Sequence, residues 1–214
     1  SDHWVLGIVA GLIVLGALGY LAIFEMITIR AFRKYSLETK IVLTGSILLL
    51  VIGTIILYGF ERNNTDTIGE LNTMNQLGDS FFNATIARTA GFAIDDFGKH
   101  ENSTNIGFEV LMFIGGASAS TAGGIKLNTF ALMVITIIAT VRGRQNLSAF
   151  QREIPQELGQ RALVIGALAA FSIGIFLFLL SMVQDQPLSE LQLEIFSAIG
   201  TVGVSAGVTS QLGE

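Results

Sequence analysis

The 214-residue chain has no cysteine, only two prolines, two histidines and few charges. The absence of cysteine excludes disulfides, thiol catalysis and cysteine-ligated metal sites. His3 and His100 lie far apart in the sequence, which argues against a histidine metal site. Only 14% of the residues are charged, against about 25% in soluble domains, and the net charge of −5 offers no basic patch for nucleic acid. A water-soluble enzyme and a nucleic-acid-binding protein are therefore both disfavoured.

What the chain has instead is apolar sequence in long blocks separated by charge clusters. These blocks are residues 4–24, 41–60, 106–141 and 162–183. About 20 apolar residues suffice to cross a bilayer core of about 30 Å, so each block predicts a spanning segment. The first block lacks a preceding basic region and contains four glycines, which favours a spanning helix over the alternative, a signal peptide.

Basic residues cluster after the first block and before the fourth. They are Arg30, Arg33, Lys34 and Lys40, then Arg142, Arg144, Arg152 and Arg161. Because cytoplasmic loops are enriched in lysine and arginine, both loops are predicted to be cytoplasmic. The loop between the second and third blocks is acidic, and forms either an outer vestibule that concentrates cations or simply a soluble rim.

Residues 145–160 predict an interfacial cytoplasmic helix, because Phe150, Ile154 and Leu158 recur at helical spacing. Such a helix either docks a regulatory subunit or lies flat on the membrane.

Two apolar stretches are too short to cross a bilayer. SFFNATIARTAGF occupies residues 80–92 and LQLEIFSAIGTVGV occupies residues 191–204. Each predicts a re-entrant segment that enters as a half-helix and returns as extended chain. The two align without a gap, since Thr201 and Gly203 each lie 112 residues after Thr89 and Gly91. The repetition indicates pseudosymmetry about a shared axis.

Each repeated stretch ends in threonine, an apolar residue, glycine and another apolar residue. The two sets are Thr89, Ala90, Gly91 and Phe92, and Thr201, Val202, Gly203 and Val204. A potassium filter replaces the ion's water shell with backbone carbonyls, and glycine permits the required dihedrals. One such match would be weak, but two at corresponding places predict two filter segments. Arg88 is expected to brace the first through Asp95 or Asp96, the alternative being an exposed arginine.

The third block is too long for a single straight span, and small residues fill its middle. Its candidate gate residues are Gly115, Gly116, Ser118, Ser120, Thr121, Gly123, Gly124 and Lys126. Paired glycines predict a broken helix whose exposed backbone faces water below the filter. Lys126 is expected to line the pore or to bond loop carbonyls; alternatively, it extends to the cytoplasmic interface.

Two enzyme motifs match only in part. Residues 203–207 satisfy G-x-S-x-G, but no histidine follows residue 100, as that catalytic arrangement requires. The Gly124-Ile125-Lys126 sequence differs from a phosphate-binding P-loop, in which lysine directly follows glycine. The sequence therefore predicts no enzyme.

Three motifs in order carry a resemblance to a known family. They are ARTAGF at 87–92, FIGGASASTAGGIK at 113–126 and AIGTVGVSAG at 198–207. The chain resembles the Trk/Ktr/HKT superfamily of potassium transporters, and within it the membrane subunit of bacterial Ktr systems. The resemblance implies an all-α membrane protein built from repeated units of helix, re-entrant pore loop and helix, in a pseudo-fourfold, potassium-channel-like fold.

The resemblance also implies how the repeats divide the chain. Residues 1–40 would hold the closing helix of a second repeat and a cytoplasmic loop. Residues 41–144 would form a complete third repeat with its pore loop and broken inner helix. Residues 145–214 would hold a cytoplasmic helix and an incomplete fourth repeat. With two filter segments where the family has four, the chain is expected to be a fragment.

The resemblance further implies potassium transport across a bacterial plasma membrane by a multi-pass protein, with Gly91 and Gly203 in the filter and the 115–126 loop as the gate. It implies potassium as the transported ion, stimulation by sodium, a membrane-lipid environment, a homodimer and a cytosolic nucleotide-binding regulatory subunit. The alternative function is a non-conducting membrane scaffold or assembly subunit.

Overall fold

A computed structural model describes residues 3–91, 93, 95–144 and 146–207. The helices are α1 (His3–Leu18), α2 (Tyr20–Ile29), α3 (Leu37–Glu61), α4 (Thr73–Ile86), α5 (Asn102–Phe113), α6 (Leu127–Val141), α7 (Gln156–Val183) and α8 (Leu188–Gly200). Short 3₁₀ helices occupy Phe32–Lys34 and Phe97–Lys99, and strands β1 (Leu147–Ala149) and β2 (Arg152–Ile154) form a hairpin. The predicted all-α class is confirmed, with this small hairpin added.

Helices α3 and α7 are long enough to cross a membrane. They contain 25 and 28 residues, or about 37 and 42 Å at 1.5 Å per residue. The Ser36 side chain caps α3 by accepting a hydrogen bond from the Thr39 amide at 3.2 Å. Pro155 and Pro187, the only two prolines, stand immediately before α7 and α8. The second and fourth apolar blocks are thus confirmed as helices of spanning length.

The first apolar block forms two helices instead of the one spanning helix predicted over residues 4–24, and together the two are long and apolar enough for one broken span. Helices α1 and α2 meet at Gly19 with a bend of 97°. Gly19 has φ 74°, and a Cβ there would lie 2.7 Å from the Ser118 carbonyl oxygen. The Ala17 carbonyl accepts a hydrogen bond from the Ala117 amide at 2.8 Å. The helix therefore breaks where another segment bonds the carbonyls that the break exposes.

That other segment is the central loop, residues 114–126, and its predicted helix break is confirmed. Helix α5 ends at Phe113 and α6 begins at Leu127. The two ends of the loop are joined, because the Gly115 amide donates to the Ile125 carbonyl and the Leu127 amide to the Gly116 carbonyl, both at 2.8 Å. A Cβ at Gly115 would collide with the Gly123 carbonyl, so this joining of the loop ends requires glycine at position 115.

The helix predicted over residues 145–160 is also wrong, because residues 147–154 form the β1–β2 hairpin and α7 begins only at Gln156. Phe150 and Gln151 have φ values of 49° and 63° at its turn, the left-handed pair of a tight hairpin. Leu147 pairs with Ile154, and both are buried against Ala139 of α6. The burial of Leu147 and Ile154 against α6 thus outweighs the helical spacing of Phe150, Ile154 and Leu158.

The main core surrounds the ends of α4 and α8. Phe82, Ile86, Phe108, Leu193 and Val202 are all at most 2% exposed and belong to one cluster. Helices α4 and α8 therefore end in a close-packed hydrophobic core, which fixes the position of the segments that follow them.

The two basic loops lie together at one end of the molecule. Arg152 donates from Nη2 to the Tyr35 carbonyl at 3.2 Å, and the Phe32 and Phe150 rings are 6.3 Å apart. Asn64, beyond the other end of α3, donates to the Lys99 carbonyl at 2.9 Å. The loops predicted to share a side thus contact each other.

Candidate functional site

Two short helices lead into the predicted filter segments. Helices α4 and α8 have 14 and 13 residues, or about 20 Å each, which is less than a bilayer core of about 30 Å. They begin at Thr73 and Leu188, before the predicted half-helix starts at residues 80 and 191. After each helix the chain turns into non-helical backbone, called here the first return segment (87–91) and the second return segment (201–204).

The two return segments have matching backbones. Thr89 and Thr201 have φ values of 64° and 53°, and Gly91 and Gly203 both have φ 80°. Positive φ at a β-branched residue such as threonine is rare. Its occurrence at the same repeat position in both segments shows that the sequence repeat is also a structural repeat.

The glycines of the two return segments lie against each other. The Gly91 amide donates to the Val202 carbonyl at 3.0 Å, and a Cβ on Gly203 would lie 3.2 Å from the Gly91 Cα. Positive φ and this close approach both require glycine. The structure therefore brings together the predicted residues Thr89, Ala90, Gly91, Thr201, Val202, Gly203 and Val204. Phe92 lies outside the described residues.

The second return segment is held from behind by α8. The Val204 amide donates to Ser197 Oγ at 2.9 Å, and the Val202 amide donates to the Ser197 carbonyl, also at 2.9 Å. The side chains of Val202 and Val204 are buried in the core. The side chains of Val202 and Val204 are thus packed in the core and their amides are hydrogen-bonded to Ser197, which fixes the course of the backbone.

Polar contacts also join each short helix to the chain beyond its return segment. Asn83 Nδ2 on α4 donates to Asp95 at 2.5 Å, and His100 lies 3.9 Å from the same carboxylate. Burial raises the pKa of Asp95, but the nearby His100 side chain and the Asn83 hydrogen bond outweigh it and lower the pKa below its ordinary value. On α8 the roles are reversed, because the Glu194 carboxylate accepts from Ser205 Oγ at 2.5 Å and the Ala206 amide at 3.2 Å.

Arg88 does not pair with Asp95 or Asp96, so its predicted partners are wrong. Its Nη1 donates to the Ile114 and Gly115 carbonyls at 2.9 and 3.2 Å. These carbonyls follow the end of α5, where helical partners run out. Arg88 is 5% exposed, and within the described residues its Nε and Nη2 have no hydrogen-bond partner. Arg88 thus ties the first return segment to the central loop.

The central loop also contacts the second return segment. A Cβ on Gly123 would meet the Thr201 side chain and lie 2.8 Å from the Gly200 carbonyl oxygen. The predicted gate glycines Gly115 and Gly116 are buried, Gly123 and Gly124 are partly buried, and Thr121 is exposed. The loop therefore fills the space between the α1–α2 break and the end of α8.

Polar side chains of the central loop bond locally. Lys126 Nζ donates to the Ala122 carbonyl at 2.6 Å, which confirms the predicted bond to a loop carbonyl. Ser118 Oγ accepts from Asn128 Nδ2 at 3.3 Å. Ser120 Oγ has no hydrogen-bond partner in the part of the chain that the structure describes. A gating role for these residues stays a prediction.

Sequence reasoning did not predict that two acids are buried. Glu109 on α5 is 3% exposed and accepts from Gln192 Nε2 of α8 at 2.5 Å. Glu61 is 2% exposed and accepts from Thr67, Asn64 and the Glu101 amide at 2.7 to 2.9 Å. An acid inside the apolar 106–141 block was the available signal for Glu109.

Residues 1–213 match the family described as TrkH, cation transport protein. The chain belongs to this family. It is 36% identical over 205 residues to the Ktr system potassium uptake protein B of Bacillus subtilis, covering 96% of this chain and 46% of that protein. It is 31% identical over 216 residues to the potassium/sodium uptake protein NtpJ of Enterococcus hirae, covering 99% and 48%. The chain spans about half the length of these relatives.

The potassium transporter TrkH of Vibrio parahaemolyticus has a similar solved structure. Its TM-score is 0.73 at 16% sequence identity, covering 99% of this chain and 48% of that one. At this identity the likeness establishes the fold. Membership of a transport family and the exposed apolar helices make this an integral membrane protein and not an enzyme.

Proposed function

We propose that the chain forms part of a potassium pathway across a bacterial plasma membrane, in a multi-pass protein. Carbonyls of residues 89–92 and 201–204 would replace part of the ion's water shell. The observation that carries this proposal is the matched, glycine-dependent backbone of the two return segments, with Gly91 and Gly203 in contact. Relatives named as potassium uptake proteins support the choice of ion.

The Val202 carbonyl already accepts a hydrogen bond from Gly91. A carbonyl oxygen has two lone pairs, so this bond leaves one for an ion. A complete pore would need four such segments, as in the family that the chain resembles. Conduction would then require the filter carbonyls of all four segments to face a common axis.

The central loop is proposed as the gate, because it touches both return segments through Arg88 and Gly123. Replacing Lys126 with alanine removes its bond to the Ala122 carbonyl and should change potassium flux. Unchanged flux would reject a gating role for Lys126.

Four further proposals rest on the resemblance. They are the division of the chain into parts of a second, third and fourth repeat, stimulation by sodium, a homodimer and a cytosolic nucleotide-binding regulatory subunit. The name of the potassium/sodium uptake relative supports sodium.

The experiment is potassium-limited growth of an uptake-deficient host that expresses the native protein. Gly91→Ser and Gly203→Ser should each reduce growth at low potassium or admit sodium, because serine is strained at φ 80°. Gly78→Ser is the matched control, since a Cβ at Gly78 on α4 meets nothing within 4 Å. Wild-type growth at low potassium together with wild-type cation selectivity in both filter variants would reject the filter assignment. No potassium uptake by the unmodified protein would favour a scaffold.

A further inference from the structure

We propose that the predicted cytoplasmic end of α3 and α6 binds one anionic glycerophospholipid, with its phosphate in a basic pocket and an acyl chain in the adjoining apolar groove. None of the residues that line the site belongs to either return segment. Its test measures binding and not transport, so its outcome is independent of the proposed potassium pathway.

The head-group pocket has a volume of about 670 Å³ and is lined by Phe32, Arg33, Lys40, Phe150 and Gln151. Lys40 Nζ donates to the Arg33 carbonyl at 3.0 Å, which leaves two of its three N–H donors available. The Arg33 side chain is exposed at the rim. An ammonium and a guanidinium at one pocket suit a phosphate diester.

The acids near this pocket keep their charge but are outnumbered, because Glu25, Glu38 and Glu153 stand against five basic residues of the same segments. Glu25 accepts from the Ser36 amide at 2.8 Å, and Glu38 accepts from Asn128 at 2.7 Å. Three further cations, Arg30, Lys34 and Arg152, belong to the segments that form the pocket. The local charge thus favours an anion.

The second space is a groove of about 280 Å³ between α3 and α6. Gly45 and Leu48 line it from α3, and Phe130, Ala131 and Val134 line it from α6. Its hydroxyl, on Thr44, already donates to the Lys40 carbonyl at 2.7 Å. The lining from Ile41 to Leu49 extends about 12 Å along α3, so the groove offers a long apolar surface with no free donor.

Phe150 lines both spaces, so the pocket opens beside the groove. Phe150 and Phe32 are 43% and 45% exposed, so both rings present apolar surface beside the basic residues. A free phosphate would use only the pocket, and an uncharged lipid would use only the groove. An anionic phospholipid uses both, and basic pockets between spanning helices are known to bind such head groups.

The test is native mass spectrometry of the detergent-purified native protein with phosphatidylglycerol, with phosphatidylcholine of the same acyl chains, and with glycerophosphoglycerol, which lacks acyl chains. We expect phosphatidylglycerol to bind at least tenfold more tightly than either of the others. Equal binding of the two lipids would overturn the head-group assignment. Equal binding of glycerophosphoglycerol would overturn the lipid and leave only an anion site.

Charge-matched variants locate the head group. Arg33→Gln should weaken phosphatidylglycerol binding about fivefold, as expected for one basic residue near an anionic lipid. Lys34→Gln removes the same charge from an exposed neighbour that does not line the pocket, and should weaken binding less than twofold. Equal effects of the two changes would reject the pocket.

Volume-matched variants locate the acyl chain. Ala131→Phe fills the groove and should weaken binding at least fivefold, whereas Ala167→Phe adds the same volume to an exposed face of α7 and should not. Unchanged binding in Ala131→Phe would overturn the groove assignment. If that variant does not fold, Val134→Phe replaces it in the same groove.

Discussion

The return segments after α4 and α8 have left-handed residues at the same two repeat positions, but different groups hold them. Arg88 stands at the position that Gly200 occupies in the second repeat, 112 residues later. Arg88 reaches the carbonyls of Ile114 and Gly115 with its side chain. At Gly200 the backbone itself approaches α5, since a Cβ there would lie 2.8 Å from the Met112 carbonyl oxygen.

The comparison teaches that the same backbone geometry can be supported either by a long side chain or by direct contact between backbones. In the first repeat the long Arg88 side chain reaches from the return segment to the end of α5. In the second repeat Gly200 has no side chain, so the backbone itself approaches α5. Each of these contacts connects a return segment to the end of α5, where the central loop begins. The following substitutions break these supports one at a time, from the largest expected effect to the smallest.

Arg88→Met should have the largest effect. It leaves two buried carbonyls without a donor, which costs about 3 kcal/mol. We expect the free energy of unfolding, measured by SDS titration in mixed micelles, to fall by that amount. Arg62→Met is the control, because Arg62 is exposed and should change stability by less than about 0.5 kcal/mol. Equal losses in the two variants would contradict a supporting role for Arg88.

Gly200→Ala should destabilise by about 2 kcal/mol, because its Cβ would meet the Met112 carbonyl and lie 3.1 Å from the Val202 side chain. Gly78→Ala, in open space on α4, should instead stabilise by up to about 1 kcal/mol. The same SDS titration measures both. A stabilising effect at Gly200 would show that α5 does not approach the second return segment so closely.

Ser205→Ala tests the contact beyond the second return segment. It removes the donor to the Glu194 carboxylate, which should cost about 1.5 kcal/mol. Ser181→Ala removes an exposed hydroxyl on α7 that donates to the Phe178 carbonyl in the adjacent helical turn, and should cost less. If thermal unfolding in detergent shows equal shifts, Glu194 does not hold this segment.

The smallest expected effect is a pH dependence confined to the first repeat. Because the pKa of Asp95 is lowered in the folded protein, its contribution to stability is present above the ordinary aspartate pKa of about 3.9. That contribution is lost as the pH falls through the lower folded pKa. Asp95→Asn should therefore flatten the stability profile below about pH 4. An unchanged profile in this variant would remove Asp95 from the support of the first return segment.

The repeat and the broken third block could be predicted because their signals are local. Glycine pairs mark backbone that cannot be helical, and a gapless alignment fixes which residues correspond. Those signals located the central loop to within one residue, since it begins at 114 instead of 115.

Three features were predicted wrongly, namely the unbroken helix over the first block, the helix over residues 145–160 and the partners of Arg88. Their causes lie outside the local sequence. Nothing near Gly19 distinguishes it from Gly7 and Gly11, which remain helical; only the approach of Ser118 does so. The hairpin turn at Phe150 and Gln151 contains neither glycine nor asparagine, the usual residues at positive φ. The partners of Arg88 are backbone carbonyls 26 and 27 residues away, whereas the nearby acids offered a more obvious match.

The bend at Gly19 meets the central loop through main-chain atoms. The Ala117 amide bonds the Ala17 carbonyl, and the Thr121 amide bonds the Gly16 carbonyl. Substituting the side chains leaves such bonds in place, whereas inserting or deleting one residue shifts every donor past its acceptor. Across species, this joint should therefore keep Gly19, Gly116 and the lengths of both segments, while the other residues tolerate changes of identity.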